Sequence, residues 1–163
     1  MEISPSVLAT HMNYSQWASR KLLDLALTLP EEETVRHIGT SHGSILKTFQ
    51  HTYYADRVWL WRLEGVPPQQ FEDPAPGPSL AALDRDWWPL LTRFENWVKQ
   101  CEDPMKPLSY KNLKGEPYER PIWQIVLHVA NHGTYHRGQA ASMMRQLGHH
   151  PPSTDLIYYY LGQ

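Results

Sequence analysis

The sequence has little of several features that would each assign a protein to a class. It contains one cysteine, Cys101, so neither an intramolecular disulfide nor a CxxC metal or redox motif can form. Its 15 basic and 17 acidic residues leave a net charge of -2, which argues against a nucleic-acid or membrane-surface role. No apolar run approaches the roughly 20 residues of a membrane span, and the N-terminus lacks a basic segment followed by an apolar one. We therefore expect a cytoplasmic protein without a nucleic-acid or membrane partner.

Aromatic residues are plentiful instead. Seven Trp, nine Tyr and three Phe supply large side chains for one hydrophobic core, and 163 residues suit a single domain over residues 1–163. Apolar residues recur in steps of three and four along four long segments, which is the period of a helix with one buried face. The predicted helices cover residues 7–29, 41–63, 79–101 and 122–147.

The connections between these helices are long. Residues 31–40 predict a loop, and the proline-rich residues 66–78 predict an extended surface connection. Residues 107–121 predict either a short hairpin or an irregular loop before the fourth helix. A last short helix is predicted over residues 155–161. The fold class that follows is all-α, a four-helix bundle with long connections, in which sites are built from side chains on facing helices.

The predicted fourth helix carries histidines on its buried face. The stripe consists of Ile122, Ile125, Val129, His132, His136, Ala140, Met143 and Leu147. His132 and His136 are one turn apart, so both imidazoles can reach one point. His128 lies one turn earlier but about 60° from the centre of the stripe. Because each buried imidazole needs its own polar partner, two on one stripe favour a metal site over a pair of core histidines.

The histidine pair does not belong to a zincin motif. In HExxH, the glutamate after the first histidine is the general base. Here Val129 follows His128, and Gly133 follows His132. A metal held by His132 and His136 would therefore take a third ligand from another element.

The other histidines give weaker signals. His11 lies on the stripe of the first helix and predicts a core histidine at one end of the bundle. His42, near the start of the second helix, predicts a solvated or capping residue. That helix is apolar on two sides more than 100° apart, so periodicity alone does not decide whether His51 faces the core. His149 and His150 lie in a turn after the fourth helix and predict exposed side chains.

Two stretches of the chain resemble the DinB/YfiT-like family of metalloenzymes. They are residues 41–65, which read SHGSILKTFQHTYYADRVWLWRLEG, and residues 128–160, which begin HVANHGTYHRGQ. The most specific part is the pattern NHxxxHRGQ followed by G-x-x-P-P-x-x-D. The order and lengths of the helices agree as well, so the resemblance covers nearly the whole chain.

The resemblance implies a four-helix bundle that holds a divalent metal with three histidines. One comes from the second helix and two, four residues apart, come from the fourth, so the implied ligands here are His51, His132 and His136. His128 is not a ligand in this scheme, and we expect it to line the pocket or to support a ligand. Three neutral imidazoles leave coordination positions open, as in catalytic metal sites. Nitrogen ligands suit zinc or nickel, and iron or copper are also compatible.

Each ligand histidine should donate its other ring N–H to a partner. Asp56, Asn131 and Gln139 are the candidates for that role. Arg137 follows a ligand, and we expect it to face away from the metal, either in a structural salt bridge with an acid or as an anion-binding group.

The resemblance also extends to function. Relatives include metal-dependent thiol transferases and a mycothiol-dependent isomerase, which implies an enzyme for a small molecule that works by thiol transfer with a low-molecular-weight thiol, or by hydrolysis. The alternative is a non-catalytic, stress-related metal-binding bundle, which the lack of a general base beside the histidine pair favours. A third hypothesis is a helical interaction module with core histidines. By resemblance and by the frequency of symmetric dimers, we also expect a homodimer.

Overall fold

The computed structural model describes residues 3–39, 41–67, 77–112 and 114–162. The elements of this part of the chain are α1 (Pro5–Leu27), α2 (Glu31–Val35), α3 (Ile45–Leu63), α4 (Leu80–Lys99), β1 (Pro107–Lys111), β2 (Pro117–Pro121), α5 (Ile122–Gln146) and α6 (Leu156–Tyr160). The four predicted long helices correspond to α1, α3, α4 and α5, so the all-α fold is confirmed. The connection predicted for residues 66–78 falls mostly outside the described residues.

Serine side chains begin three of the long helices. Ser4, Ser44 and Ser79 cap α1, α3 and α4, because the oxygen of each accepts a hydrogen bond from a backbone N–H in the first turn. The second long helix starts later than residue 41, where it is predicted to start. The helix begins after Gly43, whose φ of +79° a right-handed helix does not accommodate.

The segment between α1 and α3 differs from its prediction. Residues 31–40 are predicted as a loop, but they contain the short helix α2. Three glutamates, Glu31, Glu32 and Glu33, occupy its first turn. Negative side chains interact favourably with the partial positive charge at a helix N-terminus, which accounts for the extra turn of helix.

The four long helices form a closed bundle in which each packs against two neighbours. α5 packs against α1 and α3, and α4 packs against the same two helices on the other side. α3 therefore lies between α4 and α5, which explains why it is apolar on two sides. Of these two sides, the one that faces α5 carries His51.

Two apolar clusters fill the bundle, and a polar layer separates them. One cluster contains Phe49, Trp87 and Met143, and the other contains Met12 and Phe94. Along α1, α3 and α5, the residues between the clusters are polar and buried. We call them the polar layer: Ser15, Ser19, Thr52, Asp56, His136 and Arg137. A buried polar group is costly unless it is hydrogen-bonded, so the partners in this layer reveal what each residue does.

The segment before α5 forms the hairpin that the sequence allowed as one of two outcomes. β1 and β2 pair antiparallel, with Tyr110 opposite Tyr118. The hairpin leads directly into α5, and Tyr110 packs edge-on against Trp59 of α3 with ring centroids 5.1 Å apart. It therefore closes one end of the groove between α3 and α5.

The C-terminal segment returns to the first helix. The hydroxyl of Tyr14 donates to the carbonyl oxygen of Thr154 at 2.9 Å, and Tyr159 of α6 packs on Tyr14. This contact confirms the short closing helix and gives it a place on α1. Within the described part of the chain, no helix combines the length and the hydropathy needed to cross a membrane.

Candidate metal centre

The two histidines predicted to share a face of α5 do share it. His132 and His136 are one turn apart, their ring centroids lie 4.3 Å apart, and their Nε2 atoms lie 3.0 Å apart. His136 is buried, while His132 is half-buried. Both rings point toward α3, the neighbour that packs along this side of α5.

α3 contributes the third predicted histidine. The Nε2 atom of His51 lies 3.4 Å from Nε2 of His132, and the ring centroids of His51 and His136 are 4.6 Å apart. The structure therefore brings together the three histidines that the resemblance selects. The periodicity of α3 alone could not place His51 beside the other two histidines, because both apolar sides of α3 are buried.

A fourth histidine joins the cluster, and the sequence analysis missed it. His42 is predicted to be a solvated or capping residue, but its ring stacks on His51 with centroids 4.1 Å apart and lies 5.0 Å from the ring of His136. One ring nitrogen from each of His42, His51 and His136 lies within 4.8 Å of the others. We call His42, His51, His132 and His136 the histidine cluster.

His42 was missed because it lies outside any helical period. It precedes the cap of α3, so the 100° step says nothing about its direction. The signal that could have found it is Gly43, which separates it from the cap Ser44 and has a positive φ. Such a turn allows the preceding side chain to lie back against the first turns of the helix.

The structure also indicates which ring nitrogen of His136 carries the proton. Its Nδ1 lies 2.8 Å from Oε1 of Gln139, and the amide nitrogen of Gln139 donates to Ser41 Oγ at 3.2 Å. Because the amide nitrogen is turned to Ser41, its oxygen faces His136, and Nδ1–H must be the donor. Nε2 of His136 is left with a lone pair directed at His132. Gln139, one of three predicted partners, therefore holds this ring as a second-shell residue does in metal sites.

Hydrogen bonding alone does not satisfy the three Nε2 atoms. Each imidazole nitrogen in a neutral ring offers one proton or one lone pair, in one direction. Nε2 of His132 nevertheless faces Nε2 of both His51 and His136. With metal–nitrogen distances of about 2.1 Å, neighbouring nitrogens stand about 3.0 Å apart in an octahedron and about 3.4 Å apart in a tetrahedron. The two observed separations fit the edges of such a coordination shell.

The electrostatics of the cluster favour neutral rings. Burial, together with the neighbouring histidines, lowers the pKa of His51 and of His132 to about 4. Burial also lowers the pKa of His136, which the hydrogen bond to Gln139 partly opposes. These rings are therefore neutral at pH 7. Only a neutral imidazole can bind a metal, so no proton has to be displaced from them.

Comparison with known proteins agrees with this geometry. The sequence profile of the DinB family matches residues 5–162. The chain belongs to the DinB family. It is also 26% identical over 153 residues to Protein DinB of Bacillus subtilis (strain 168), an alignment that covers 90% of this chain and 89% of that protein. The resemblance seen in residues 41–65 and 128–160 is thus confirmed across the DinB domain.

Asp56, one of the predicted pocket or support residues of this DinB-family chain, lies in the buried polar layer. The carboxylate of Asp56 accepts a hydrogen bond from Trp87 Nε1 at 2.9 Å, and burial raises the pKa of Asp56 to about 7. Asp56 therefore bonds to an indole rather than to a histidine of the cluster. The residue that supports a histidine is Gln139.

Arg137 faces away from the cluster, as predicted, but toward α1 and not toward solvent. Its Nη1 donates to the carbonyl oxygen and the hydroxyl of Ser15 and to the hydroxyl of Ser19, and its Nη2 donates to Thr134 Oγ1. A Cβ on Gly133 would lie 2.7 Å from Nη1, so this glycine makes room for the guanidinium. Arg137 is thus bonded to serine and threonine oxygens.

His128 extends the cluster toward the hairpin. Its ring centroid lies 5.8 Å from that of His132 and 5.2 Å from that of Trp59. Burial and then the charge of Arg62 lower its pKa. It lines a cavity of about 260 Å³ at the end of α3 and α5. The prediction that His128 is a pocket residue matches this position.

The remaining histidines lie elsewhere. His11 uses Nδ1 to bond the carbonyl oxygen of Val7 within its own helix. His149, predicted to be exposed, is half-buried, and its Nε2 lies 2.5 Å from a carboxylate oxygen of Glu33 in α2. His150 is exposed as predicted.

Proposed function

We propose that the protein binds one divalent transition metal ion through His51, His132 and His136 and uses it to act on a small molecule. The observation that supports this most is the convergence of three Nε2 atoms that hydrogen bonding cannot satisfy together. A cation at that point would accept all three lone pairs. Imidazole nitrogens suit zinc or nickel. The donor set and the spacing of the nitrogens therefore fit the ion that the DinB resemblance implies.

An enzyme is favoured over a storage or structural site because three protein ligands leave coordination positions open. A divalent ion held in this way lowers the pKa of a water or a thiol that it binds, which provides a nucleophile near neutral pH. The reaction classes that use such a nucleophile on a small molecule are thiol transfer and hydrolysis.

His42 supplies a group that the sequence analysis did not find. If the ion takes the other three histidines, His42 remains beside them, stacked on His51, and histidine is the most frequent general base in enzymes. Its ring nitrogen would accept the proton released when the nucleophile forms. The resulting assignment is three ligands and one base.

The alternative is a metal-binding bundle without catalysis. Its support is that the hydrogen bonds of the cluster in the described residues join histidines to one another and to Gln139, with no carboxylate among them. In that case His42 would be a fourth ligand, since its ring nitrogen lies within 4.8 Å of those of His51 and His136. A metal ion held by four histidines would have fewer open coordination positions for a substrate than one held by three.

The test is the metal content of untagged protein, with four variants measured beside the wild type. We expect about one equivalent of zinc or nickel in the wild type, loss in His132→Ala and His51→Ala, and retention in His42→Ala. His150→Ala is the matched control, because that histidine is exposed and outside the cluster. No metal in any sample, even after incubation with zinc and nickel, would sink the proposal.

Activity separates the enzyme from the non-catalytic alternative. The metal-loaded wild type is assayed for transfer of 2-mercaptoethanol to 1-chloro-2,4-dinitrobenzene and for hydrolysis of small esters. Under the proposal, His42→Ala keeps its metal but loses most of the activity. If His42→Ala loses the metal instead, His42 is a ligand and the assignment of the base is wrong.

A further inference from the structure

A continuous row of rings leads from the histidine cluster to the hairpin. From His132 it passes to His128, then to Trp59 and then to Tyr110, with successive centroid distances of 5.8, 5.2 and 5.1 Å. Tyr118 of β2 stacks on Tyr110 at 5.9 Å. The row lines the groove between α3 and α5, so a small molecule held at the cluster would extend along it.

A guanidinium lies against this row. Arg62, at the last turn of α3, stands 4.5 Å over the ring of Trp59 and 5.1 Å from that of Tyr110. Its Nη2 donates to the carbonyl oxygen of Lys111 at 3.0 Å, while its buried Nε has no hydrogen-bond partner among the residues that the structure describes. Burial lowers the pKa of Arg62. A buried guanidinium nitrogen without an acceptor is unusual and costly, which suggests that a ligand supplies the acceptor.

Two arginines at this end of the groove lack carboxylate partners in the described part of the chain. Within residues 3–39, 41–67, 77–112 and 114–162, Arg93 pairs with Glu64, whereas neither Arg62 nor Arg120 forms an ion pair. The nearby Glu119 is engaged by the hydroxyl of Ser109 across the hairpin. On a protein with a net charge of -2, this leaves a local excess of positive charge.

Two cavities meet at Tyr110 and give the excess positive charge a place to act. The first, of about 260 Å³, lies between His128, Trp59, Gln124 and Arg120. The second, of about 650 Å³, lies between Arg62 and the hairpin, with Lys111 on its wall. Together they have the size range of small-molecule sites, and polar groups stand among aromatic walls as such sites require.

We propose that this cleft, defined by Trp59, Arg62, Tyr110, Arg120 and His128, binds a carboxylate of the small molecule that reacts at the histidine cluster. The proposal rests on the proposed function for the reacting end of the molecule. The guanidinium of Arg62 offers a planar array of donors, which matches the two oxygens of a carboxylate. The substrate class is therefore a small carboxylic acid or a thiol that carries a carboxylate.

The test uses benzoate and benzamide, which share a shape and differ in charge. Calorimetric titration at low ionic strength is carried out on the metal-free protein, so the cleft is measured without the metal site. We expect benzoate to bind at least about tenfold more tightly than benzamide, since a charge-assisted pair is lost with the amide. Equal binding of the two would overturn the proposal. Tighter binding of inorganic phosphate than of benzoate would overturn the choice of carboxylate.

Variants locate the binding. Arg62→Gln should weaken benzoate at least about tenfold, and Arg62→Lys, which keeps the charge and the fold but not the planar array, should weaken it by less. Arg93→Gln is the matched control, because Arg93 is satisfied by Glu64 away from the cleft. Unchanged benzoate binding in both Arg62 variants would overturn the proposal.

Metal content of the same samples keeps this proposal separate from the proposed function. Benzoate binding that depends on Arg62, together with a wild type that takes up no metal even after incubation with zinc and nickel, would support the cleft and reject the metal site. Metal in Arg62→Gln at the wild-type level, together with no preference for benzoate in the wild type, would reject the cleft alone.

Discussion

Two neighbouring residues of α5 show two ways of burying polar groups in one bundle. His136 and Arg137 are adjacent in sequence and both are buried, but they point to different helices. Arg137 turns to α1, where three hydrogen bonds to Ser15 and Ser19 hold its guanidinium, and a fourth joins it to Thr134 of α5 itself. His136 turns to α3, where its Nε2 meets another histidine nitrogen that already faces a third.

This difference in hydrogen bonding distinguishes a side of the polar layer that stabilises the fold from a side that is available for a ligand. On the Arg137 side of the polar layer, protein oxygens satisfy both Nη atoms, and within the described residues only the buried Nε of this guanidinium lacks a hydrogen-bond partner. This side of the layer therefore joins α5 to α1. The histidine side is satisfied only in part, through Gln139, and the remaining lone pairs converge on one point. Several unsatisfied nitrogens that face one point indicate a ligand more strongly than one isolated unsatisfied nitrogen does. The two sides should therefore respond differently to substitution.

The largest effect is expected on the Arg137 side. Arg137→Ala removes four hydrogen bonds and leaves a cavity beside Ser15 and Ser19, so the free energy of unfolding should fall by about 3–5 kcal/mol. Urea denaturation measures it, and Arg145→Ala, an exposed position on the same helix, should change it by less than about 0.5 kcal/mol. Similar small losses in both variants would mean that Arg137 does not hold the bundle together.

The second prediction concerns the carboxyl of Asp56. Its pKa of about 7 in the folded protein lies above its ordinary value of 3.8, so between these pH values the folded form binds more protons than the unfolded form. The stability that the protonated carboxyl contributes is therefore lost as pH rises toward 7. We expect the free energy of unfolding of the wild type to fall by about 2 kcal/mol relative to Asp56→Asn between pH 5 and pH 7.

The control for Asp56 is Asp86→Asn, at an exposed position. The difference in free energy of unfolding between this variant and the wild type should stay constant across the same pH range. If the free energy of unfolding of the wild type, relative to that of Asp56→Asn, stays constant or rises with pH, the result would contradict a neutral buried carboxyl.

The third prediction compares two glycines of α5. A Cβ on Gly133 would press on Arg137 Nη1 and on Ser15 Oγ at 3.0 Å, whereas a Cβ on Gly138 would meet nothing within 4 Å. Gly133→Ala should therefore lie about 2 kcal/mol below Gly138→Ala in the free energy of unfolding. Gly138→Ala itself should be slightly stabilising, because alanine favours a helix. Equal stability of the two variants would mean that the space beside Arg137 is not needed.

The smallest effect is expected on the histidine side. Gln139→Ala removes the acceptor that orients His136, so zinc affinity should fall about tenfold while the stability of the metal-free protein changes little. A competition titration with a chromophoric chelator measures the affinity. Gln146→Ala, at an exposed position on the same helix, is the control. An unchanged affinity in Gln139→Ala would remove Gln139 from the site.

Much of the bundle could be predicted from the sequence, because the helical period of the apolar residues indicates where each long helix lies and which of its faces is buried. The stripe on α5 placed His132 and His136 together, and the same 100° step turned Arg137 away from them. The predicted end of the second long helix, at residue 63, agrees with the end of α3. What periodicity could not decide was the direction of His51, since α3 is buried on two sides, and there the family resemblance was needed.

The errors have local causes. The second long helix was predicted to start at residue 41 rather than at Ile45, because only the positive φ of Gly43 shows that a helix does not run through residue 43. His42 has no helical phase, so its place in the cluster depends on the same turn. The burial of Arg137 depends on the small side chains of α1 and on Gly133, which are contacts between distant segments and leave no pattern in the sequence.

The most direct test of the account is a crystal structure of the wild type grown with zinc, with data collected on both sides of the zinc absorption edge. The account predicts one strong anomalous peak about 2.0–2.2 Å from Nε2 of His51, His132 and His136. It also predicts that the ring of His42 lies outside bonding distance of the ion. A cluster without a peak, its three Nε2 atoms still facing one another, would contradict the claim that their convergence marks a metal site.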